Sequence, residues 1–472
     1  MALIDKDIAS LARDLRERRT SAAAIVEEAL DRHARYGAAL GAYKTIDPAR
    51  VRRDAAAADR ALKAGRAAGP LHGIPVSVKD LYGVAGYPTF AGAPRALPAA
   101  WMREGPVVAA LTRQMGVVVG KTHTVEFAFG GIGTNIPWKT PRNPWGGSAY
   151  RIPGGSSSGA GVSLGEGSAL VALGTDTGGS VRLPATFTGT VGLKITHGRW
   201  SLDGIVPLAP SMDTPGALAR TVVDTAYAFA ALDPAGHEAE RFAAACAGTD
   251  LRGVTLGICE SFMWDDLDPG VGEVARRALN EAVKKGAKLV RLELPEFKEA
   301  FELHLKGSVL SVELKQFLDD ALPAWKATLA PIIQRRVEDG ANIPGVEYVR
   351  RLAFCREKGA AAARRLAAVD AIVMPTSPLS PPTIEDVDGV DDYVRHNRKS
   401  FRFTCAVNLL GLCALSLPAG LDKAGMPVGL QLVARPHAEE RLLAVGAAIE
   451  RAIGPARARL GNPPLSKLPR AS

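Results

Sequence analysis

The segment Thr177-Gly-Gly-Ser180 sets a serine directly behind two glycines, shortly after the apolar run Ala169-Leu-Val-Ala-Leu173. That run reads as a buried strand, and the space beyond a strand's carboxyl end is where α/β sheets bind ligands. Small glycines let successive N–H groups converge on one point, the geometry that stabilises an oxyanion. A serine hydroxyl placed there is a candidate nucleophile, but a poor one until a base takes its proton. No histidine lies nearby in sequence, so the base must come from elsewhere. Lys79 ends the apolar run Ile74-Pro-Val-Ser-Val78 and is the candidate. A lysine normally titrates near ~10.4, and burial at a strand terminus favours the neutral amine. Ser156, 24 residues before Ser180, is a candidate relay, because one hydroxyl can accept from one partner while donating to another. The competing reading of Lys79 is structural: a strand-end lysine paired with its neighbour Asp80.

Between Arg151 and Pro184 the chain holds nine glycines and six serines in 34 residues. Each glycine costs about 1 kcal/mol in a helix interior, so this density implies close backbone approach or turns at positive φ. A flexible linker does not fit, since a clean strand run lies inside the segment and charges are few. Three nearby patterns mislead. Gly116-Val-Val-Val-Gly-Lys-Thr122 is one residue short of a phosphate-binding loop, and its valines predict a strand where the loop must curl. Gly159-Ala-Gly-Val-Ser-Leu-Gly165 resembles a dinucleotide fingerprint but follows Pro153-Gly-Gly, not a strand. Gly155-Ser-Ser-Ser-Gly159 satisfies the nucleophile-elbow pattern, yet Tyr150-Arg-Ile-Pro-Gly before it reads as loop.

The elements that must carry these residues follow from periodicity. Residues 1–68 show apolar positions Ile8, Leu11, Leu15 and then Ala24, Ile25, Ala29, Leu30 at helical spacing, with Thr20-Ser21 able to cap the second helix. They predict an N-terminal helical region packed on the core. From about residue 70 short β-rich runs appear, at 74–78, 117–119 and 169–173, with a helical stretch at 106–115 between them. Such alternation predicts an α/β fold, a sheet with helices on its faces. Residues 296–368 turn helical and charged, a helical insert beside the sheet, and strand texture resumes at 371–374 and 429–433. Residues 456–472, rich in proline and basic groups, read as a loose tail. No internal repeat is present.

Composition narrows the class. The 472 residues are 47% hydrophobic and 23% charged, as in folded globular proteins. A net charge of +9 from 58 basic and 49 acidic residues is modest, and no basic block alternates with aromatics, so a nucleic-acid role is not expected. Five cysteines without a CxxC pair suit reduced thiols in the cytoplasm. The charged start Met1-Ala-Leu-Ile-Asp-Lys-Asp7 lacks a signal peptide's apolar core, and no window reaches a membrane helix's ~18 apolar residues. The eight histidines form no HExxH or close pair, so neither a metal nor any cofactor is expected.

Taken together, these residues resemble the amidase signature family. The matching stretches are Gly69-Pro-Leu-His-Gly-Ile-Pro-Val-Ser-Val-Lys-Asp80, Gly120-Lys-Thr-His-Thr-Val-Glu-Phe-Ala-Phe129, Pro141-Arg-Asn-Pro-Trp145 and the Gly/Ser block. Further matches are Ser211-Met-Asp-Thr-Pro-Gly216, Met374-Pro-Thr-Ser-Pro378 and Pro427-Val-Gly-Leu-Gln-Leu-Val433. The resemblance implies a large mixed sheet covered by helices on both faces, with residues 69–455 as the catalytic domain. It implies a Ser–Ser–Lys triad: Ser180 as the acylated nucleophile, Lys79 as base, and Ser156 as the bridge, held by a cis peptide. It further implies an oxyanion hole from the N–H groups of Thr177, Gly178, Gly179 and Ser180, with Asp176 and Arg182 as supporting residues. The chain departs from the family at Ser158, usually glycine, and at Ala160, near which a serine is usual.

The activity implied is hydrolysis of a linear carboxamide C–N bond in a small-molecule substrate, in an enzyme that is commonly a homodimer. Pocket walls are expected from Phe127, Gly130, Gly131 and Ile132, from loops near Trp138 and Trp200, and from the helical insert. Two other roles stand beside this one. The first is the amidase component of a tRNA-dependent amidotransferase, which needs partner subunits and usually has an acidic residue about seven positions before the Asn of its NLxGLP-like segment. Here Phe401 stands at that distance from Asn408. The second is a catalytically silent member serving as one component of a larger assembly.

Overall fold

The computed structural model describes residues 2–469. Its core is one mixed sheet of 11 strands: β1 (Tyr43–Ile46), β2 (Pro75–Lys79), β3 (Val117–Thr122), β4 (Val171–Asp176), β5 (Val191–Lys194), β6 (Thr214–Ala219), β7 (Thr255–Ile258), β8 (Lys288–Arg291), β9 (Ala371–Pro375), β10 (Cys413–Leu421) and β11 (Pro427–Ala434). The spatial order is β1-β3-β2-β4-β6-β5-β10-β11-β9-β7-β8. β2 runs parallel to both β3 and β4, and β7 to both β8 and β9, while the centre from β4 to β9 is antiparallel. Helices cover the sheet, so β2, β3 and β4 are buried at every residue, which is why they read as continuous apolar runs and do not alternate.

The N-terminal region holds three capped helices. Asp7 accepts the Ser10 N–H at the start of helix Ile8–Arg16, and Ser21 accepts the Ala24 N–H for Ala22–Leu40. Asp47 does the same for Pro48–Lys63, whose first residue is proline. Between the last two, β1 pairs antiparallel with β3 and closes the sheet edge. Sequence periodicity missed this strand because its four residues are only half-buried.

The insert is helical as expected, but its first helix ends at Leu305 and a new one starts at Val309, capped by Ser308. Gly307 sits between them at φ 120, a backbone conformation that favours glycine. The tail corrects its expectation. Ala456–Leu460 is helical, Leu460 packs with Trp145 and Met426, and Leu465 and Leu468 lie against the Leu40 cluster; residues 470–472 fall outside the described residues. The tail stays down because a buried leucine, not its basic charge, decides its place. No helix among the described residues is long and apolar enough to cross a membrane.

Candidate active site

Lys79 is the last residue of β2, with Val78 opposite Leu173 in β4 and Lys79 itself opposite Thr122 in β3. Its side chain is fully buried, and Nζ donates to Ser156 Oγ at 2.7 Å and to Thr175 Oγ1 at 2.8 Å. Burial pulls this amine down to about 7, although Asp213 and Asp176 act in the opposite direction. The structural reading of Lys79 fails: Asp80 faces Lys121, with Oδ1 3.0 Å from Lys121 Nζ, and its Oδ2 accepts the Phe90 N–H at 2.9 Å. Among the described residues Lys79 has no carboxylate in contact.

Ser156 follows a cis Gly155–Ser156 peptide and lies just before helix Ser158–Glu166. Its carbonyl accepts from the Val125 N–H and from Thr124 Oγ1, which fixes the turn. Gly155 must be glycine, since a Cβ there would sit 2.7 Å from Gly133 Cα. The Ser156 and Ser180 segments are tied by the Ser157 N–H donating to the Ser180 carbonyl at 3.3 Å. The structure thus joins Lys79 to Ser156 directly. Among the described residues no hydrogen bond links the Ser156 and Ser180 hydroxyls, and Ser180 Oγ, on the chamber wall, has no hydrogen-bond partner.

The loop that carries Ser180 is locked by Asp176. This carboxylate accepts the Gly179 N–H at 2.8 Å and the Val181 N–H at 3.0 Å, and it pairs with Arg182 at 2.9 Å. Burial alone would raise the Asp176 carboxyl, but the Arg182 guanidinium outweighs it and holds the group at about 2. Arg182 also donates to Gln431, Asn408 and the Thr404 carbonyl. The four donors expected of an oxyanion hole are therefore not equivalent. The Gly179 N–H is turned to Asp176, whereas those of Thr177, Gly178 and Ser180 have no partner among the described residues.

A narrow chamber of about 20 Å³ opens at Ser180, and an outer cavity of about 260 Å³ adjoins it. Of the four residues named for the pocket walls, Gly130 lines the chamber. Phe127, Gly131 and Ile132 do not. Phe127 is buried in the main core, Ile132 packs with Ile152 and Phe187, and Gly131 lies beneath the Phe401 ring. The reason is backbone handedness: Phe127 (φ 45) and Ala128 (φ 60) are left-handed, so the alternation shifts and Phe129 faces the chamber instead. Trp138 and Trp200 are also elsewhere, the first packed edge-on to Phe90 and His123, the second stacked on Phe229. The insert does contribute, through His304, Leu310 and Arg336. Sequence reasoning missed these three, and with them Thr175 and Cys405; of these only Thr175, one residue from Asp176 in the Gly/Ser block, carried a local signal, while Phe401 was singled out only by its distance from Asn408.

Among the described residues one trio, Asp233, His237 and Glu440, has the spacing of a metal site. Arg199 lies between its two carboxylates and pairs with both, so the trio is an ion-pair network. All five cysteines are free and buried.

Comparison with known proteins finds matches over most of the chain. Residues 24–443 match the family model described as Amidase. The chain is 50% identical over 458 residues to a 2-amino-5-chloromuconic acid deaminase of Comamonas testosteroni, covering 97% of this chain and 98% of that protein. It is 34% identical to a Glutamyl-tRNA(Gln) amidotransferase subunit of Nocardia farcinica, covering 96% and 99% respectively. A solved crystal structure of an amidase superposes with a TM-score of 0.84 at 30% identity, over 95% of this chain and all of that one (100%).

Proposed function

Because the chain belongs to the amidase family, hydrolases of C–N amide bonds, we propose that Ser180 is its acylated nucleophile and Lys79, working through Ser156, its base. The observation that carries this reading is the 2.7 Å contact from a dry, carboxylate-free Lys79 amine to Ser156. An amine near 7 is neutral for a useful fraction of the time at physiological pH. It accepts a proton from Ser156 as Ser156 accepts the proton of Ser180, and Ser180 Oγ attacks the substrate carbonyl. The tetrahedral oxyanion lies against the free N–H groups of Thr177, Gly178 and Ser180. Collapse breaks the C–N bond, the relay returns its proton to the departing nitrogen, and water then releases the acyl group. Asp176 and Arg182 hold the loop and do not touch the carbonyl.

For the substrate, the 50% identical deaminase, whose named substrate carries its amino group on C2, supports only the small, unsaturated diacid skeleton; the cycle above acts on a primary amide of such an acid, whose acyl C–N bond breaks to release ammonia. The amidotransferase role is less well supported. Phe401, at the position where that component usually has an acid, presents an aromatic ring to the chamber and no charge for a glutamine ammonium group. The same reading takes the enzyme as cytoplasmic, in keeping with its free cysteines, and as a homodimer, which sedimentation tests. A serine-directed fluorophosphonate located by peptide mass spectrometry tests the nucleophile. Label on Ser180, lost in Lys79→Ala, is the result expected; label elsewhere, or full turnover by Lys79→Ala, refutes it.

A further inference from the structure

Between the chamber that holds Ser180 and the outer cavity lies a neck whose lining the two spaces share: Phe129, His304 and Arg336. His304 belongs to helix Pro295–Leu305 of the insert, far in sequence from every motif above. It is half-buried, its ring meets Phe401 edge-on at 6.2 Å, and neither of its nitrogens has a hydrogen-bond partner among the described residues. The contrast with His123 is informative, since that imidazole is satisfied on both sides, by Ser158 and by the Lys139 carbonyl. Polar groups at a chamber wall without a protein partner are free to meet water or a ligand that enters the chamber. Arg336 adds to the case. Its Nη1 donates to the Phe129 carbonyl at 2.6 Å and to the Tyr393 hydroxyl at 3.4 Å, and its guanidinium covers the Phe129 ring; Asp339 and Asp391 line the outer cavity, but no carboxylate of the described residues forms an ion pair with Arg336, so the neck presents a guanidinium without a contacting counter-ion.

We propose that His304 is a specificity-determining residue that donates a hydrogen bond to a carboxylate at the far end of the substrate, beyond the C–N bond cut at Ser180. This rests on the small-acid reading of the preceding section and names the group that reads the acid. Burial, with Arg336 and Arg398 nearby, pushes the imidazole down to about 4, so the group that meets the ligand is neutral, with one N–H to give. A neutral imidazole beside a fixed guanidinium suits a carboxylate. It gives no such advantage to an uncharged ester of the same length.

The test measures binding and turnover separately. The probes are the monoamide of a six-carbon dienedioic acid and the methyl ester of that monoamide. Calorimetry on Ser180→Ala protein is expected to show the acid bound about tenfold or more tighter than the ester, a preference that His304→Phe in the same background reduces to about threefold or less. In otherwise unaltered enzyme His304→Phe should raise KM for the acid with kcat nearly unchanged, and leave the ester untouched. His304→Gln, which keeps an N–H donor, should recover most of the preference and shows whether the Phe variant merely misfolds. Equal binding of acid and ester, an unaltered preference in His304→Phe, or a parallel loss on both probes overturns the inference. Absence of hydrolysis by the unaltered enzyme, with the binding preference intact, would instead overturn the proposed substrate and leave His304 as the carboxylate reader.

Discussion

Two fully buried lysines stand at the ends of neighbouring parallel strands, one position out of step: Lys79 is the last residue of β2, and Lys121 the last but one of β3. Their surroundings differ in one respect. Lys121 faces the Asp80 carboxylate at 3.0 Å and donates to Thr89, whereas Lys79 meets only the hydroxyls of Ser156 and Thr175. Burial lowers both amines, but at Lys121 the adjacent carboxylate opposes the fall, and at Lys79 only the more distant Asp213 and Asp176 do. A buried lysine with a carboxylate in contact is a strut. One that meets hydroxyls alone is poised to exchange a proton. Asp80, the first residue past β2, reaches Lys121, which lies opposite Val78 on the neighbouring strand, and so it serves Lys121 and not its chain neighbour Lys79.

The largest expected effects separate the two lysines by activity. Ser180→Ala and Lys79→Met should each lower kcat/KM by about 10³-fold or more, measured as ammonia release. Lys121→Met should leave the activity per folded molecule within about tenfold, because no proton of the cycle passes through it. Equal losses at both lysines would dissolve the distinction.

Stability should order them the other way. Asp80→Asn or Lys121→Met strips one partner from a buried ion pair and should cost about 3–5 kcal/mol in denaturant unfolding. Lys79→Met should stabilise the fold at pH 7, by the linkage penalty of about 4 kcal/mol less about 1 kcal/mol for each of the two hydroxyl contacts it loses. The sign follows from linkage. The folded amine sits near 7 and the unfolded one near ~10.4, so the unfolded chain binds the proton more tightly wherever pH is below the unfolded value. The penalty therefore grows as pH falls from about 10 to about 7 and is constant below that. The stability gap between Lys79→Met and the unaltered protein should widen over that window and then stay level.

The acid limb of activity sharpens the same point. Because Lys79 acts as the neutral amine in the proposed cycle, kcat/KM should rise about tenfold per pH unit below 7 and level off above it. A profile flat between pH 5 and 8 would take the proton-accepting role from Lys79.

What could be read from the sequence, and what could not, follows the same division between local and distant causes. The proposed triad positions Lys79, Ser156 and Ser180 stand in glycine-rich, strand-flanked motifs whose composition has no ordinary structural use, and that composition is what singled them out. The strand before Ser180 was legible too, displaced by two residues, because buried parallel strands are uniformly apolar. The pocket was not. Its walls depend on a left-handed turn at Phe127 and Ala128, where neither residue type predicts positive φ, and on His304, Arg336 and Phe401, brought in by long-range packing from helices with ordinary surface patterns. β1 escaped notice for the opposite reason, since a half-buried edge strand of four residues carries too little pattern.

The smallest expected effects probe how far the base's environment extends beyond direct contact. Thr175→Val keeps the side chain's shape and removes one acceptor from Lys79 Nζ. An ammonium gains more from that acceptor than an amine does, so its loss should move the acid limb to lower pH by several tenths of a unit. Ser157 stands one step further out. β2 stops pairing with β4 at Leu173, short of Thr175, and there the Ser157 hydroxyl serves the Thr175 backbone, donating to its carbonyl at 3.2 Å and accepting its N–H at 3.3 Å. Ser157→Ala should therefore cost about 1 kcal/mol of stability while retaining most activity, within about fivefold, with the pH limb unmoved. Ser157 supports the strand that holds Thr175, whereas Thr175 touches the amine itself; a shift of the limb in Ser157→Ala as large as that in Thr175→Val would mean that the position of the strand, rather than the Thr175 hydroxyl, sets the proton affinity of Lys79.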